Sequence, residues 1–115
     1  METTATSAKD LCTRFCSQLK LDIRIKLLAE ELALNAQVIG SLAGRSPLSV
    51  AAACIYMASH LMDDPKSPKD ISPTAGVSDG TIRTSYKLIY PEREKLIDKK
   101  WLQPGKGDMK RLPAA

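Results

Sequence analysis

The residues best suited to chemistry lie in segment 78–90, where hydroxyl and basic side chains recur at helical spacing. Ile82, Tyr86 and Ile89 follow i, i+4, i+7 spacing and predict the buried stripe of a helix. The other side carries the candidate DNA-binding residues Thr81, Arg83, Thr84 and Lys87. Lysine and hydroxyl groups can hold phosphates, and arginine can bond a guanine edge in the major groove. The same pattern also suits an ordinary solvated helix face, and periodicity alone leaves both interpretations open.

Catalysis is not indicated anywhere in the sequence. There is no glycine-rich phosphate loop, no pair of inward carboxylates, and no Cys/His or Ser/His/Asp set. Ser46 and Ser67 each precede a proline and are expected to cap helices. His60 is expected to be a partly buried packing residue. We therefore expect no catalytic residues and no enzymatic activity.

The three cysteines are Cys12, Cys16 and Cys54, an odd number without the spacing of a disulfide framework. This usage predicts reduced thiols packed in a core. A zinc site would need more ligands at short spacing, and His60 is distant in sequence. We expect no metal site and no cofactor in this chain.

The net charge of +4 is unevenly distributed. Residues 1–65 carry six basic and seven acidic side chains, whereas residues 66–115 carry eleven basic and six acidic ones. The asymmetry suggests that the C-terminal half faces a polyanion, although a solvated surface would also explain it.

Helix signals divide the chain into an all-α fold. Only 4% of the residues are aromatic, so the core must be built from aliphatic side chains, which favours helices. Apolar periodicity and start signals predict helices over residues 8–19, 23–39, 47–62, 68–75 and 80–90, and a short one over 92–98. Ser7, Asp22, Ser46, Ser67 and Ser78 are the expected N-caps.

The fourth and fifth helices form a pattern typical of a helix-turn-helix, because only a tight turn containing Gly76 separates them. Pro73 lies inside the fourth helix and is expected to shorten or kink it. We predict a disordered segment at residues 1–6, a domain over 7–98 and a flexible tail over 99–115. Tail residues Lys99, Lys100, Lys106, Lys110 and Arg111 could add phosphate contacts, but mobile surface charge is the preferred interpretation. Trp101 could anchor an interface, and the preferred interpretation is that it folds back on the domain.

Two long motifs make the chain recognisable. The stretch GRSPLSVAAACIYMAS at 44–59, and AGVS, TIR and SYKLIYP at 75–78, 81–83 and 85–91, resemble signatures of the transcription factor IIB family. RFCS at 14–17 and LP at 112–113 are similar to further elements of that family. The resemblance covers nearly the whole chain.

The resemblance implies a five-helix cyclin-like repeat, the second of two, in a nuclear general transcription factor. Its implied partners are the TATA-binding protein, promoter DNA and RNA polymerase II. The zinc ribbon and first repeat of the family, which supply much of the polymerase contact, would precede residue 1. Arg83 matches the family arginine that contacts an element upstream of TATA.

Two positions depart from the animal members of the family. Gly80 stands where those members have a valine that reads bases, so this chain has no side chain there to touch a base edge. With Pro73 as the other departure, a fungal source and largely phosphate-directed DNA contact are expected. The alternative function is a protein-interaction module that binds activators or other chain segments without direct DNA contact.

Overall fold

A computed structural model describes residues 7–38, 45–102 and 107–113 of the 115-residue chain. Those residues form five principal helices: α1 (Ala8–Gln18), α2 (Ile23–Ala36), α3 (Pro47–Leu61), α4 (Pro68–Ala75) and α5 (Asp79–Ile89). A single turn, α6 (Arg93–Leu96), and short 3-10 turns at Tyr90–Glu92, Lys99–Leu102 and Met109–Arg111 follow. The described ranges contain no strand, and the prediction of an all-α, five-helix fold is confirmed.

Side-chain caps fix where the helices begin. Ser7, Ser46, Ser67 and Ser78 each accept a hydrogen bond from the backbone N–H three residues on, while Asp22 accepts one from Arg24 N. Such caps satisfy backbone donors that have no partner within the helix, and each stabilises a helix by about 1 kcal/mol. All five predicted N-caps are therefore confirmed.

Two predicted helix features need correction. α2 ends at Ala36, with Gln37 as its C-cap, and does not continue to residue 39; residue 39 itself lies outside the described residues. α4 runs to Ala75 despite Pro73 and is not shortened. Pro73 is exposed and removes only one donor from the short helix.

Helix α3 is the centre of the domain and packs against α1, α2, α4 and α5. Small side chains on α3 permit this close approach, since Ala51, Ala52 and Ala53 are completely buried. Larger side chains from the surrounding helices complete the core, including Leu28 and Leu32 of α2 and Ile82 and Ile89 of α5. The buried side of α5, the second helix of the helix-turn-helix, thus packs against an aliphatic core.

The described part of the C-terminal tail packs on the C-terminal end of α3 and on the side of α2. Gly107 N donates to Trp101 O at 2.7 Å, and Asp108 N donates to Leu61 O at 3.2 Å. Trp101 Nε1 donates to Glu31 Oε2 at 2.9 Å, so the tryptophan folds back on the domain as expected. The flexibility of the tail stays a prediction, because these contacts involve only part of it; Lys106 lies outside the described residues, as do residues 1–6. The domain limits 7–98 and 99–115 stay predictions.

Candidate nucleic-acid interface

The turn between α4 and α5 is set by a glycine in a left-handed conformation. Gly76 has φ 75° and ends α4, and its N–H donates to Ser72 O at 2.9 Å. A glycine in the left-handed conformation commonly ends a helix, because in other residues the Cβ would lie too close to the following carbonyl oxygen. Ser72 Oγ also donates to Val77 O, which ties the turn to α4. This local geometry fixes the direction in which α5 leaves the turn.

The N-terminus of α5 is held by hydroxyl groups. Ser78 Oγ accepts from Thr81 N at 3.1 Å and lies 2.9 Å from the Thr81 hydroxyl. Thr84 Oγ1 donates to Gly80 O at 2.9 Å. Both threonine hydroxyls therefore have partners within the helix, and Thr81 is only partly exposed. The Thr84 hydroxyl would have to rotate to donate to a phosphate, whereas either oxygen of the Ser78–Thr81 pair can be the donor, so the Thr81 proton is not committed to that bond.

The charged candidates point to solvent. Arg83 and Lys87 are exposed and lie one turn apart on α5. Arg83 Nη1 donates to Asp79 Oδ2 at 3.4 Å, and these side chains are 56% and 39% exposed. The structure thus brings Arg83, Thr84 and Lys87 together on the exposed side of α5 and places Thr81 at its capped start. DNA binding by these four residues stays a prediction.

Sequence reasoning missed Asp79 as a member of this face. The sequence marks it as part of the N-terminal cap, although its position four residues before Arg83 is also the spacing of a helical ion pair. Gly80 is adjacent to Arg83 and Thr84 on the helix surface. A Cβ at Gly80 would meet nothing closer than Ser78 Oγ at 3.9 Å, so this position is sterically open.

Aromatic rings support α5 from the buried side. The Tyr86 ring lies 4.9 Å from that of Tyr56 and 5.7 Å from that of Tyr90, measured between centroids. The Tyr86 hydroxyl donates to Pro113 O at 2.7 Å. Burial and the neighbouring tyrosines raise the pKa of Tyr86, so its phenol stays protonated. Tyr86 therefore packs α5 against Tyr56 of α3 and bonds α5 to Pro113 of the tail.

The remaining reactive side chains are placed in the core. Burial raises the pKa of the Cys16 and Cys54 thiols to about 12 and raises that of Cys12 as well. A protonated, buried thiol is a poor nucleophile and a poor metal ligand. Among the described residues, no group of three His, Cys, Asp or Glu side chains could hold a metal ion. His60 is partly buried with its ring 4.5 Å from that of Tyr56, and burial lowers its pKa.

The described helices include none with the length and apolar character needed to cross a membrane.

The fold and the exposed face together define a class: a small all-helical domain that presents a helix-turn-helix with basic side chains on its second helix. Comparison with known proteins makes the assignment more specific. Residues 1–92 match the family described as "Transcription factor TFIIB repeat", and the chain belongs to this family.

Curated relatives agree with the family match. Transcription initiation factor IIB of Schizosaccharomyces pombe is 51% identical over 109 residues, which are 95% of this chain and 32% of that protein. The proteins of the same name from Dictyostelium discoideum and Homo sapiens are 45% and 46% identical, over 79% and 76% of this chain and 28% of each relative. The chain thus spans about a third of the length of these relatives. Their names support the expectation of a non-enzymatic protein.

Proposed function

We propose that this chain is a promoter-assembly module of a general transcription initiation factor. It docks on the complex of TATA-binding protein and promoter DNA in the nucleus and helps to recruit RNA polymerase II, mainly through segments that its longer relatives contain. The helix-turn-helix faces DNA upstream of the TATA element. Membership of the factor IIB family supports the role in initiation, and the observation that carries the DNA contact is the exposed basic face of α5.

The charges on that face suit a polyanion. Arg83 and Lys87 are exposed on the second helix of the helix-turn-helix, the element that enters the major groove in proteins of this architecture. Each phosphate that a basic side chain neutralises releases a counterion, so binding should weaken as salt rises. A single module of this size buries only about 600–1,000 Å² on DNA. Docking therefore depends on the TATA-binding protein as a second contact.

The test compares two double variants with equal loss of charge. Arg83→Ala with Lys87→Ala removes the basic pair on α5, and Lys9→Ala with Arg14→Ala removes one lysine and one arginine from the exposed side of α1. Binding to a preformed complex of TATA-binding protein and promoter DNA is measured by fluorescence anisotropy between 50 and about 200 mM salt.

The α5 variant should bind more weakly, and its plot of log affinity against log salt should be flatter by about one unit for each phosphate that is no longer neutralised. The α1 variant should behave like the unchanged chain. Equal affinity and equal slope in all three proteins would refute the DNA role of α5.

A second candidate function rests on a different surface. The exposed side of α2 carries Ile23, Leu27 and Leu34, which are 58%, 47% and 46% exposed, and Val38, just beyond the end of the helix, is 88% exposed. The spacing of the three helical residues places them in one stripe along α2. Such a stripe favours a protein-interaction module that binds an activator or another chain segment without direct DNA contact. Amide shifts on α2 with an acidic amphipathic peptide, and none on α5 with the DNA complex, would favour this candidate.

A further inference from the structure

One charged pair on α5 has a geometry that bears on how the face would read DNA. Asp79 is the first residue of the helix and Arg83 lies one turn later, with Nη1 and Oδ2 3.4 Å apart. An acidic residue four positions before a basic one is the favourable order in a helix. Both side chains are more than a third exposed, so the contact exchanges readily. Asp79 therefore biases the direction of the Arg83 side chain without fixing it in one position.

A second charge acts on Arg83 in the same direction. Lys87 lies one turn further along and is exposed, and like charges at this spacing repel each other. Attraction from Asp79 and repulsion from Lys87 both direct the Arg83 guanidinium toward the N-terminus of α5. In a helix-turn-helix, the residues at that end of the second helix contact base edges. The two charges thus direct the Arg83 guanidinium toward the end of α5 that would lie nearest the bases.

We propose that Asp79 is a positioning residue that gives this chain a preference for guanine at one base pair. A guanidinium carries five N–H donors, so the bond to Asp79 leaves donors for the O6 and N7 atoms of guanine. The negative charge of Asp79 also disfavours phosphate oxygens beside it and keeps Arg83 off the DNA backbone. This inference rests on the proposed function, because it requires α5 to face DNA.

The open position at Gly80 strengthens the assignment. Gly80 presents no side chain beside Arg83. Discrimination between base pairs at this turn of α5 therefore depends on the Arg83 guanidinium and on Asp79, which directs it. Considered alone, Gly80 predicts largely phosphate-directed contact. With Asp79 included, the face combines a phosphate-binding lysine with an arginine that is directed toward base contact. Base preference is therefore retained in spite of the glycine.

The experiment selects DNA with the 115-residue chain and its variants. Preformed complexes of TATA-binding protein with DNA are randomised in the base pairs upstream of the TATA element, and the DNA bound to the chain is sequenced. The variants are Arg83→Ala, Asp79→Ala, Asp79→Glu and, as the matched control for removing one negative charge, Glu94→Gln on the exposed side of α6. Circular dichroism during heating checks that each variant folds.

The unchanged chain should enrich guanine at one position, and Arg83→Ala should lose that preference, which a good bidentate contact sets at about 5- to 150-fold. Asp79→Ala should bind with a guanine preference reduced at least about threefold and with a salt slope steeper by about one, because Arg83 then reaches a phosphate. Asp79→Glu should restore both values, which loss of fold would not allow. Glu94→Gln should match the unchanged chain.

Three results would overturn the inference. If Asp79→Ala keeps the full guanine preference, Asp79 does not position Arg83. If the unchanged chain binds the complex but enriches no guanine, docking stands and base reading by this pair does not. If the chain is not retained on the complex at any salt concentration, the proposed function fails together with the inference.

Discussion

Replacement of Gly107 by alanine tests whether the tail is part of the folded domain. An added Cβ would lie 2.6 Å from Trp101 O, 2.9 Å from Leu61 Cγ and 3.0 Å from Leu61 Cδ2. The Leu61 side chain is fully buried, and the other neighbour is a backbone oxygen, so neither can move away freely. The same glycine donates its N–H to that oxygen at 2.7 Å. An alanine Cβ would therefore clash with the same backbone oxygen that accepts the Gly107 N–H, and moving residue 107 away to relieve the clash would lengthen this hydrogen bond.

The size of the effect follows from two opposing terms. Overpacking a well-filled site costs about 1–3 kcal/mol, and a contact with a backbone oxygen belongs in the upper part of that range. Alanine also restricts the unfolded chain, which stabilises the protein by about 0.4–1 kcal/mol. The net loss for Gly107→Ala should be about 1–2 kcal/mol. For a domain of this size, that corresponds to a fall in Tm of roughly 5–15 °C.

Gly80→Ala is the matched control, because it makes the same chemical change in open space. The nearest atom to its Cβ would be Ser78 Oγ at 3.9 Å, and alanine is favoured over glycine in a helix by about 0.5–1 kcal/mol. Urea unfolding followed by circular dichroism should show stabilisation for Gly80→Ala and destabilisation for Gly107→Ala. Equal changes in both variants would mean that the tail does not press on Leu61, and the assignment of the tail to the fold would be wrong.

Three further predictions concern the turn, the tail and the core. Gly76→Ala should lose about 1 kcal/mol through its φ of 75° alone, since a Cβ there meets nothing within 4 Å; urea unfolding measures this, and an unchanged midpoint would contradict the left-handed turn. Tyr86→Phe removes the hydrogen bond to Pro113 O and should lose about 1 kcal/mol, whereas no loss in Tm would show that the bond is not formed in solution. Since the Cys54 pKa is raised from 9.0 to about 12, the unfolded chain loses this proton first, so stability should be full below pH 9 and fall as pH rises from about 9 toward 12. Cys54→Ala should fall less steeply over that range in urea titrations at each pH, and identical slopes would contradict the burial of this thiol.

Helix positions were predictable because their signals are local. Ser46 followed by Pro47, and Ser67 followed by Pro68, combine an N-cap with a proline at the first helical position, and both helices begin there. Apolar periodicity likewise identified the buried side of α5. The end of α2 was not predictable to the same accuracy, because apolar residues continue past Ala36 and its C-cap is Gln37 rather than a glycine.

The tail was not predictable because its partners are distant in sequence. Asp108 N and Arg111 Nη1 both donate to the Leu61 carbonyl, some 50 residues earlier in the chain. Nothing in a proline- and glycine-containing segment indicates such a partner, and a carbonyl at the C-terminal end of α3 has no sequence signature at all. Leu112, which is buried, could have suggested packing, but a single apolar residue in a polar tail is weak evidence.

The candidate face illustrates why charge counts underdetermine a binding surface. The excess of basic residues after position 65 indicated a polyanion but could not say which charges act together. On α5, two hydroxyls that looked like phosphate donors already have partners in the helix, and an acidic residue that looked like a cap bonds to the central arginine. The Thr84 hydroxyl is thus already engaged as a donor, and Arg83 already has an acidic neighbour. The electrostatic character of this face is therefore set by the arrangement of Asp79, Arg83 and Lys87 and not only by the sum of its charges.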